Sequence, residues 1–318
     1  MGEFELIRHY FAAAPCAQGG EGVALGIGDD CALLDLPAGE QLAISTDTLV
    51  AGVHFPAVCD PLLLGQRSLA VAASDLAAMG ATPIGFTLAL TLPEFGPDWL
   101  AAFADGLGRM AHRCRMTLIG GDTTRGPLSI TVTVFGRVPA GQALRRSGAQ
   151  PGDLLCVGGF LGNAAGALPL VLGEREAAAE VAGPLLEHYW SPLPQLQLGE
   201  RLRGLATAAL DISDGLLADC GHIAKASGVA LEVNLAQVPV SAPLQAFLGH
   251  EAAVQAALTG GDDYVLAFTL PEIALNSLAR EVHVIGRVLQ GQGVTLLDPQ
   301  GQDITPVQRG YQHFRETP

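Results

Sequence analysis

A short apolar run that ends in oxygen-bearing side chains recurs along the chain, and it restricts the possible folds more than any other feature. Leu42-Ala43-Ile44-Ser45-Thr46-Asp47 reads as a strand that enters a core and stops in two hydroxyls and a carboxylate. Taken alone, Ser-Thr-Asp is more often a turn or a helix cap. The pattern returns, however, at Gly28-Asp29-Asp30, Gly120-Gly121-Asp122, Asp211-Ile212-Ser213-Asp214 and Gly260-Gly261-Asp262-Asp263. Acids that serve only solvation do not keep following apolar runs and glycine pairs. Converging ends of this kind make an acidic pocket, and like charges in a poorly solvated cleft repel unless cations fill it. Hard oxygen ligands on rigid supports are what Mg²⁺ takes.

Charge and composition narrow the partners. The formal charge of −15 argues against nucleic acid or an acidic membrane. It leaves room for phosphate substrates bridged by divalent metals. A chain of 318 residues suggests two domains, and 49% apolar against 15% charged residues allows a large core. The six cysteines are scattered, with no C-x-x-C spacing, and read as small core residues of a reducing compartment. The opening Met1-Gly2-Glu3-Phe4-Glu5-Leu6 lacks a basic region followed by an apolar run, and no stretch suits a membrane span. The expected location is the cytoplasm.

Periodicity predicts a short helix over 4–11, a strand over 41–46, a helix over 61–79 stopped by Gly80, and a strand over 85–92. A helix over 99–114 and a strand over 116–119, ending at Gly120-Gly121-Asp122, follow. Residues 128–138 alternate Ile130, Val132 and Val134 with Ser129, Thr131 and Thr133, as in a half-exposed antiparallel strand. The pattern breaks around Pro139-Ala140-Gly141 and Gln150-Pro151-Gly152, so a domain over 1–140 is expected before one over 141–318. The second half reads as a strand over 154–157, helices over 163–172 and 194–205, and a strand over 208–212 that leads into a helix over 214–227. Strands over 230–234, 264–269 and 282–288 complete it. Both halves fit α+β layers, and neither G-x-G-x-x-G nor G-x-x-x-x-G-K-[ST] occurs.

Several residues carry two readings at this point. Asp75 shares a helix face with Leu64, Ser68, Val71 and Met79, as a metal ligand or as a buried acid with a partner. Gly120-Gly121 either lets main-chain amides approach a phosphate or makes a plain turn. Ser213 caps the helix over 214–227, whose N-terminus can also hold an anion. Arg146, beside Arg145, is a surface pair or a phosphate ligand. His54 alone is an ordinary loop histidine.

Seven motifs stand in order: Leu25-Gly26-Ile27-Gly28-Asp29-Asp30-Cys31-Ala32; Ser45-Thr46-Asp47 with His54-Phe55; Ser74-Asp75-Leu76-Ala77-Ala78-Met79-Gly80-Ala81; Gly120-Gly121-Asp122-Thr123; Arg146-Ser147-Gly148-Ala149; Asp211-Ile212-Ser213-Asp214-Gly215; and Gly260-Gly261-Asp262-Asp263-Tyr264. Over residues 2–314 the chain closely resembles the thiamine-monophosphate kinase family, in the superfamily of aminoimidazole ribonucleotide synthetase and selenophosphate synthetase. The resemblance implies a two-domain, synthetase-like α+β fold. Its N-terminal mixed α/β domain would dimerise by joining sheets into a shared barrel, and its C-terminal domain would be α+β. It also implies transfer of the γ-phosphate of ATP to thiamine monophosphate, giving thiamine diphosphate.

By the same resemblance, Asp30, Ser45, Thr46, Asp47, Asp75, Asp122, Asp211 and Asp214 look like ligands of several Mg²⁺ ions, with Asp47, Asp75, Asp122 and Asp214 at the reacting centre. Gly121, Asp122, Arg146 and Ser213 look like ATP contacts. His54, Asp262 and Tyr311 look like thiamine-phosphate contacts. The chain departs from the family at Ser191-Pro192-Leu193-Pro194-Gln195, where basic residues are usual, and at Asp262, where glutamate is common.

Phosphoryl transfer asks the protein for positioning and charge neutralisation, with little covalent chemistry. No Ser-His-Asp or Cys-His arrangement is evident, so direct transfer without a phosphoenzyme is expected. The alternatives are a sister ATP-dependent synthetase, a non-catalytic Mg-nucleotide-binding regulator, and a Mg²⁺-dependent phosphatase. Cys16 before Ala17-Gln18-Gly19-Gly20 matches a selenophosphate-forming loop only weakly.

Overall fold

The structure, a computed structural model, describes residues 3–94, 96–278 and 282–311. The chain packs as two units. The first holds residues 1–76, 81–143 and 190–196, and the second 77–80, 144–189 and 197–318.

The first unit opens with α1 (Glu3–Leu6), which widens into a π-helical stretch over Ile7–Ala12. A small ribbon of β1 (Val23–Leu25) and β2 (Leu33–Leu34) follows. Then come β3 (Glu40–Val50), α2 (Pro61–Ala78), β4 (Thr82–Leu92), α3 (Pro97–Cys114), β5 (Thr117–Arg125) and β6 (Ser129–Pro139). The four long strands form one sheet in the order β3-β6-β4-β5, with β4 and β5 parallel and the other pairs antiparallel. The alternation in β6 does what period two demands: Ile130, Val132 and Val134 are buried, while the residues between them are partly exposed. Helix α3 buries Leu100, Phe103, Leu107, Met110 and Cys114, an i, i+3, i+4 stripe.

Helices α2 and α3 meet at glycine. A Cβ on Gly106 would stand 1.9 Å from the Leu62 carbonyl oxygen. Gly106→Ala is therefore expected to push the helices apart and cost about 1–3 kcal/mol, as overpacking does. A thermal melt checks this; an unchanged Tm contradicts it.

The second unit holds β7 (Leu154–Val157), α4 (Asn163–Val171), α5 (Ala179–Trp190), α6 (Leu196–Leu202), β8 (Ala208–Asp211), α7 (Leu216–Ser227), β9 (Ala230–Asn234), α8 (Ala242–Leu248), α9 (His250–Thr259), β10 (Leu266–Leu270), α10 (Glu272–Leu275), β11 (His283–Leu289) and β12 (Gly293–Leu297). Six of these strands form one mixed sheet, β12-β9-β11-β7-β10-β8, parallel only between β12 and β9. Its core joins Leu155, Val157 and Leu210 of the sheet to Leu216, Cys220 and Ile223 of α7.

Two expected strand ends are not ends. β3 runs on through Ser45-Thr46-Asp47 to Val50, and β5 runs through Gly120-Gly121-Asp122 to Arg125. Thr46 and Thr48 pair across to Thr133 and Thr131, each hydroxyl pair 2.9 Å apart, which favours continued pairing over a turn. Among the described residues no helix is long and apolar enough to cross a membrane.

Candidate active site

In the first unit the expected ligands fall into two groups. In the first group, strand alternation puts Ser45 and Asp47 on the face of β3 that also carries buried Leu49. The Ser45 hydroxyl donates to the carboxylate of Asp75, near the end of α2. Asp75 is a half-buried carboxylate held by a strand hydroxyl. Thr46 faces the other way, towards Thr133, so its side chain does not join this group. His54 lies just beyond β3. Its Nδ1 accepts the Val50 N–H at 3.0 Å, so the neutral ring carries its proton on Nε2.

The second group lines a cleft of about 730 Å³. Asp30, Gly121 and Asp122 border it, with Arg8 and Phe11 from the N-terminal helix. Gly121 stands here for a steric reason. Its φ is +153°, and a Cβ there would lie 2.0 Å from the Leu88 carbonyl oxygen of the neighbouring strand. The β4–β5 register shifts between Phe86 and Thr87, so this is a bulged strand where backbone crowds backbone, and not a turn. Arg8 and Phe11 were not picked out from the sequence. The π-helical widening that carries them has no periodic signature, although such widenings gather at functional sites.

In the second unit a separate group forms where β8 ends. Asp211 is buried at the strand end, opposite Leu266. Ser213 does not cap α7 as expected. Gly215 holds the cap position without a side-chain bond. Instead Oδ2 of Asp219, inside α7, accepts the N–H groups of Ser213, Asp214 and Gly215 at 3.1, 3.0 and 3.0 Å. Burial pushes the Asp219 carboxyl up to about 7; the charges of Asp214 and Asp211 add to the rise, while the Asp214 and Gly215 N–H donors oppose it.

The carbonyl side of the same loop is also engaged. The Ser213 oxygen accepts the Asp262 N–H at 2.9 Å, and the Asp214 oxygen accepts the Tyr311 N–H at 2.9 Å. Asp262 and Tyr264 both sit in left-handed backbone, φ +68° and +51°, and the Tyr264 hydroxyl donates to Asp262 at 2.9 Å. Strain of this kind in non-glycine residues concentrates at ligand sites. Asp263 faces the other way, into the core. It accepts the Gly162 N–H at 2.7 Å and stands 3.6 Å from His188 Nε2. Burial raises its carboxyl, with His188 acting against the rise.

Tyr311 is 48% exposed; residues 312–314 of the resemblance lie outside the described residues. Arg146 is exposed on a loop pinned to the end of α7, where the Ser227 hydroxyl accepts the Gly148 and Ala149 N–H groups and donates to the Arg146 carbonyl.

Among the described residues no three His, Cys, Asp or Glu side chains stand close enough to hold one ion between them. The donor chemistry still fits Mg²⁺, which is commonly held by one or two carboxylates with substrate phosphate oxygens and water completing the octahedron. Ser45, Asp47 and Asp75 offer hard oxygens of that kind.

The AIR synthase related protein N-terminal domain matches residues 28–138, and the corresponding C-terminal domain matches residues 150–298. Thiamine-monophosphate kinase of Escherichia coli is 45% identical over 98% of this chain and 98% of its own. The crystal structure of thiamine-monophosphate kinase from Stenotrophomonas maltophilia superposes with a TM-score of 0.85 at 46% identity, covering 93% of this chain and 96% of that one. AaThiL, solved in complex with AMPPCP and TMP, has a TM-score of 0.80 at 31% identity, covering 91% and 92%. The chain belongs to the thiamine-monophosphate kinase family.

Proposed function

We propose that this chain transfers the γ-phosphoryl group of ATP to thiamine monophosphate, forming thiamine diphosphate directly. The near full-length likeness to thiamine-monophosphate kinases carries this reading, and the hydroxyl and carboxylate groups described above suit it. The expected domain over 1–140 serves nucleotide and metal binding and dimerisation. Residues 141–318 form the C-terminal α+β domain.

Bound Mg²⁺ supplies charge neutralisation for the phosphates brought together. Asp75 and Asp47, with Ser45, would hold such ions, and Asp30, Asp122, Asp211 and Asp214 would add oxygens around the phosphates. The Thr46 side chain faces away from Asp75, so only its main chain is available to this group. The Gly121 backbone approaches phosphate without a side chain between, and Arg146 and the Ser213 hydroxyl contact the nucleotide. His54, Asp262 and Tyr311 bind thiamine monophosphate. Six cysteines without a disulfide suit a reducing cytoplasm.

Incubation with ATP, Mg²⁺ and thiamine monophosphate should give thiamine diphosphate, identified by chromatography. Phosphate release from thiamine monophosphate without ATP identifies a phosphatase. Tight ATP binding with no turnover identifies a regulator.

Tyr311 tests the substrate side. Its exposed ring suits the cationic thiazolium, an attraction worth about 0.5–2 kcal/mol. Tyr311→Ala should then raise KM for thiamine monophosphate by roughly 3- to 30-fold and leave KM for ATP almost unchanged, while Tyr311→Phe is mild. A loss of Tm with no change in either KM makes the tail an anchor only.

A homodimer is supported by β3. It is an eleven-residue strand at the sheet edge, with Leu42 exposed and Ile44 58% exposed on the outer face. Long apolar edges of this kind need covering. Sedimentation should find a dimer at micromolar concentration; a fully active monomer contradicts it.

A further inference from the structure

We propose that Asp219 is a positioning residue, whose buried carboxylate fixes the main chain of Ser213-Asp214-Gly215 and so sets where the Ser213 and Asp214 side chains meet the phosphates. The proposal rests on the reading of Ser213 and Asp214 given above.

Asp219 lies in the first turn of α7 and is only 4% exposed. One oxygen, Oδ2, gathers three consecutive main-chain N–H groups. Consecutive N–H groups aimed at one point form a concave nest, and a nest leading into a helix is a common seat for a phosphate oxygen. Here the protein's own carboxylate fills it. The N–H groups before α7 are thus spent internally, and an incoming nucleotide meets the side chains of Ser213 and Asp214 instead.

The loop is held on its other side as well. Its two carbonyls accept the N–H groups of Asp262 and Tyr311. The segment therefore has its N–H edge locked to Asp219 and its C=O edge locked to the two residues assigned to thiamine monophosphate. Loosening Asp219 frees one edge and disturbs both substrates' contacts. A residue that only stabilised the core would lower Tm without moving the kinetics of the folded enzyme.

The test compares Asp219→Ala, which removes the acceptor, with Asp219→Asn, which keeps an oxygen there and removes the charge. Asp219→Ala should lose about tenfold or more in kcat/KM for both ATP and thiamine monophosphate, in the range typical of residues that orient ligand groups. Asp219→Asn should recover most of that loss. Native kinetics in a folded Asp219→Ala protein overturns the proposal. So does an Asp219→Asn protein as impaired as Asp219→Ala, because charge and not the anchor would then matter.

Amide hydrogen exchange on the unmodified protein keeps the test decisive where Asp219→Ala does not fold. The N–H groups of residues 213–215 should exchange slowly although Ser213 is exposed, and exchange at the rate of a free peptide removes the anchor. If the unmodified protein shows slow exchange but no kinase activity, the functional reading fails while the anchor stands.

Discussion

Asp75→Asn is expected to lower kcat by about 10²–10³-fold while the fold stays intact, as for other preorganised charge stabilisers. The substitution keeps the volume and an oxygen that the Ser45 hydroxyl can still reach, so the β3–α2 contact survives. What it removes is one negative charge from the group that would hold Mg²⁺ with the phosphates. Part of the activity should return as Mg²⁺ is raised, because weaker metal binding is overcome by mass action. The Tm of metal-free protein should hold or rise, since a carboxylate near other acids is lost. Native turnover at limiting Mg²⁺ contradicts the assignment. A clear drop in metal-free Tm makes Asp75 a structural acid.

Gly121→Ala is expected to cost about 10²-fold in kcat/KM for ATP, the penalty that a displacement of about 1 Å at a reacting centre can bring. The added methyl would meet the Leu88 carbonyl at 2.0 Å, so β4 and β5 must separate just past the bulge, beside Asp122, which pairs with Ala89. A destabilisation of about 1–3 kcal/mol should accompany it. Gly120→Ala is the internal control. Its Cβ would meet only the Thr87 methyl, at 3.5 Å, an ordinary contact. Steady-state kinetics and melts on both variants check this. If the two glycines behave alike, the close approach at Gly121 is not what the site depends on.

These two positions show what could be read in the sequence. The period-two pattern of β6 and the helical stripe of α3 are local, so they were legible. The acidic motifs marked the chemistry but misplaced the geometry. Ser45-Thr46-Asp47 and Gly120-Gly121-Asp122 looked like strand ends because hydroxyls, glycines and acids are turn residues. Threonine pairing across β6 and the bulge beside β4 keep the strands going, and both depend on a partner distant in sequence.

The same applies to Asp219. From sequence it is one of several polar residues in its helix, and its three bonds reach back to a loop whose path only the fold determines. Helix α5 was missed for the opposite reason. Gly183 and Pro184 in its middle read as breakers, yet burial of Leu185 and Tyr189 overrides that local preference.

Direct, metal-assisted transfer between two bound substrates is tested most directly by the fate of a labelled γ-phosphoryl group. With ATP labelled at the γ-phosphorus, thiamine monophosphate and Mg²⁺, a single turnover followed by acid quench should place the label in thiamine diphosphate, in equal amount to the ADP formed. None should remain on the protein, and chelation of the metal should stop the transfer. Label retained on the protein, or released as inorganic phosphate in place of thiamine diphosphate, would contradict the account.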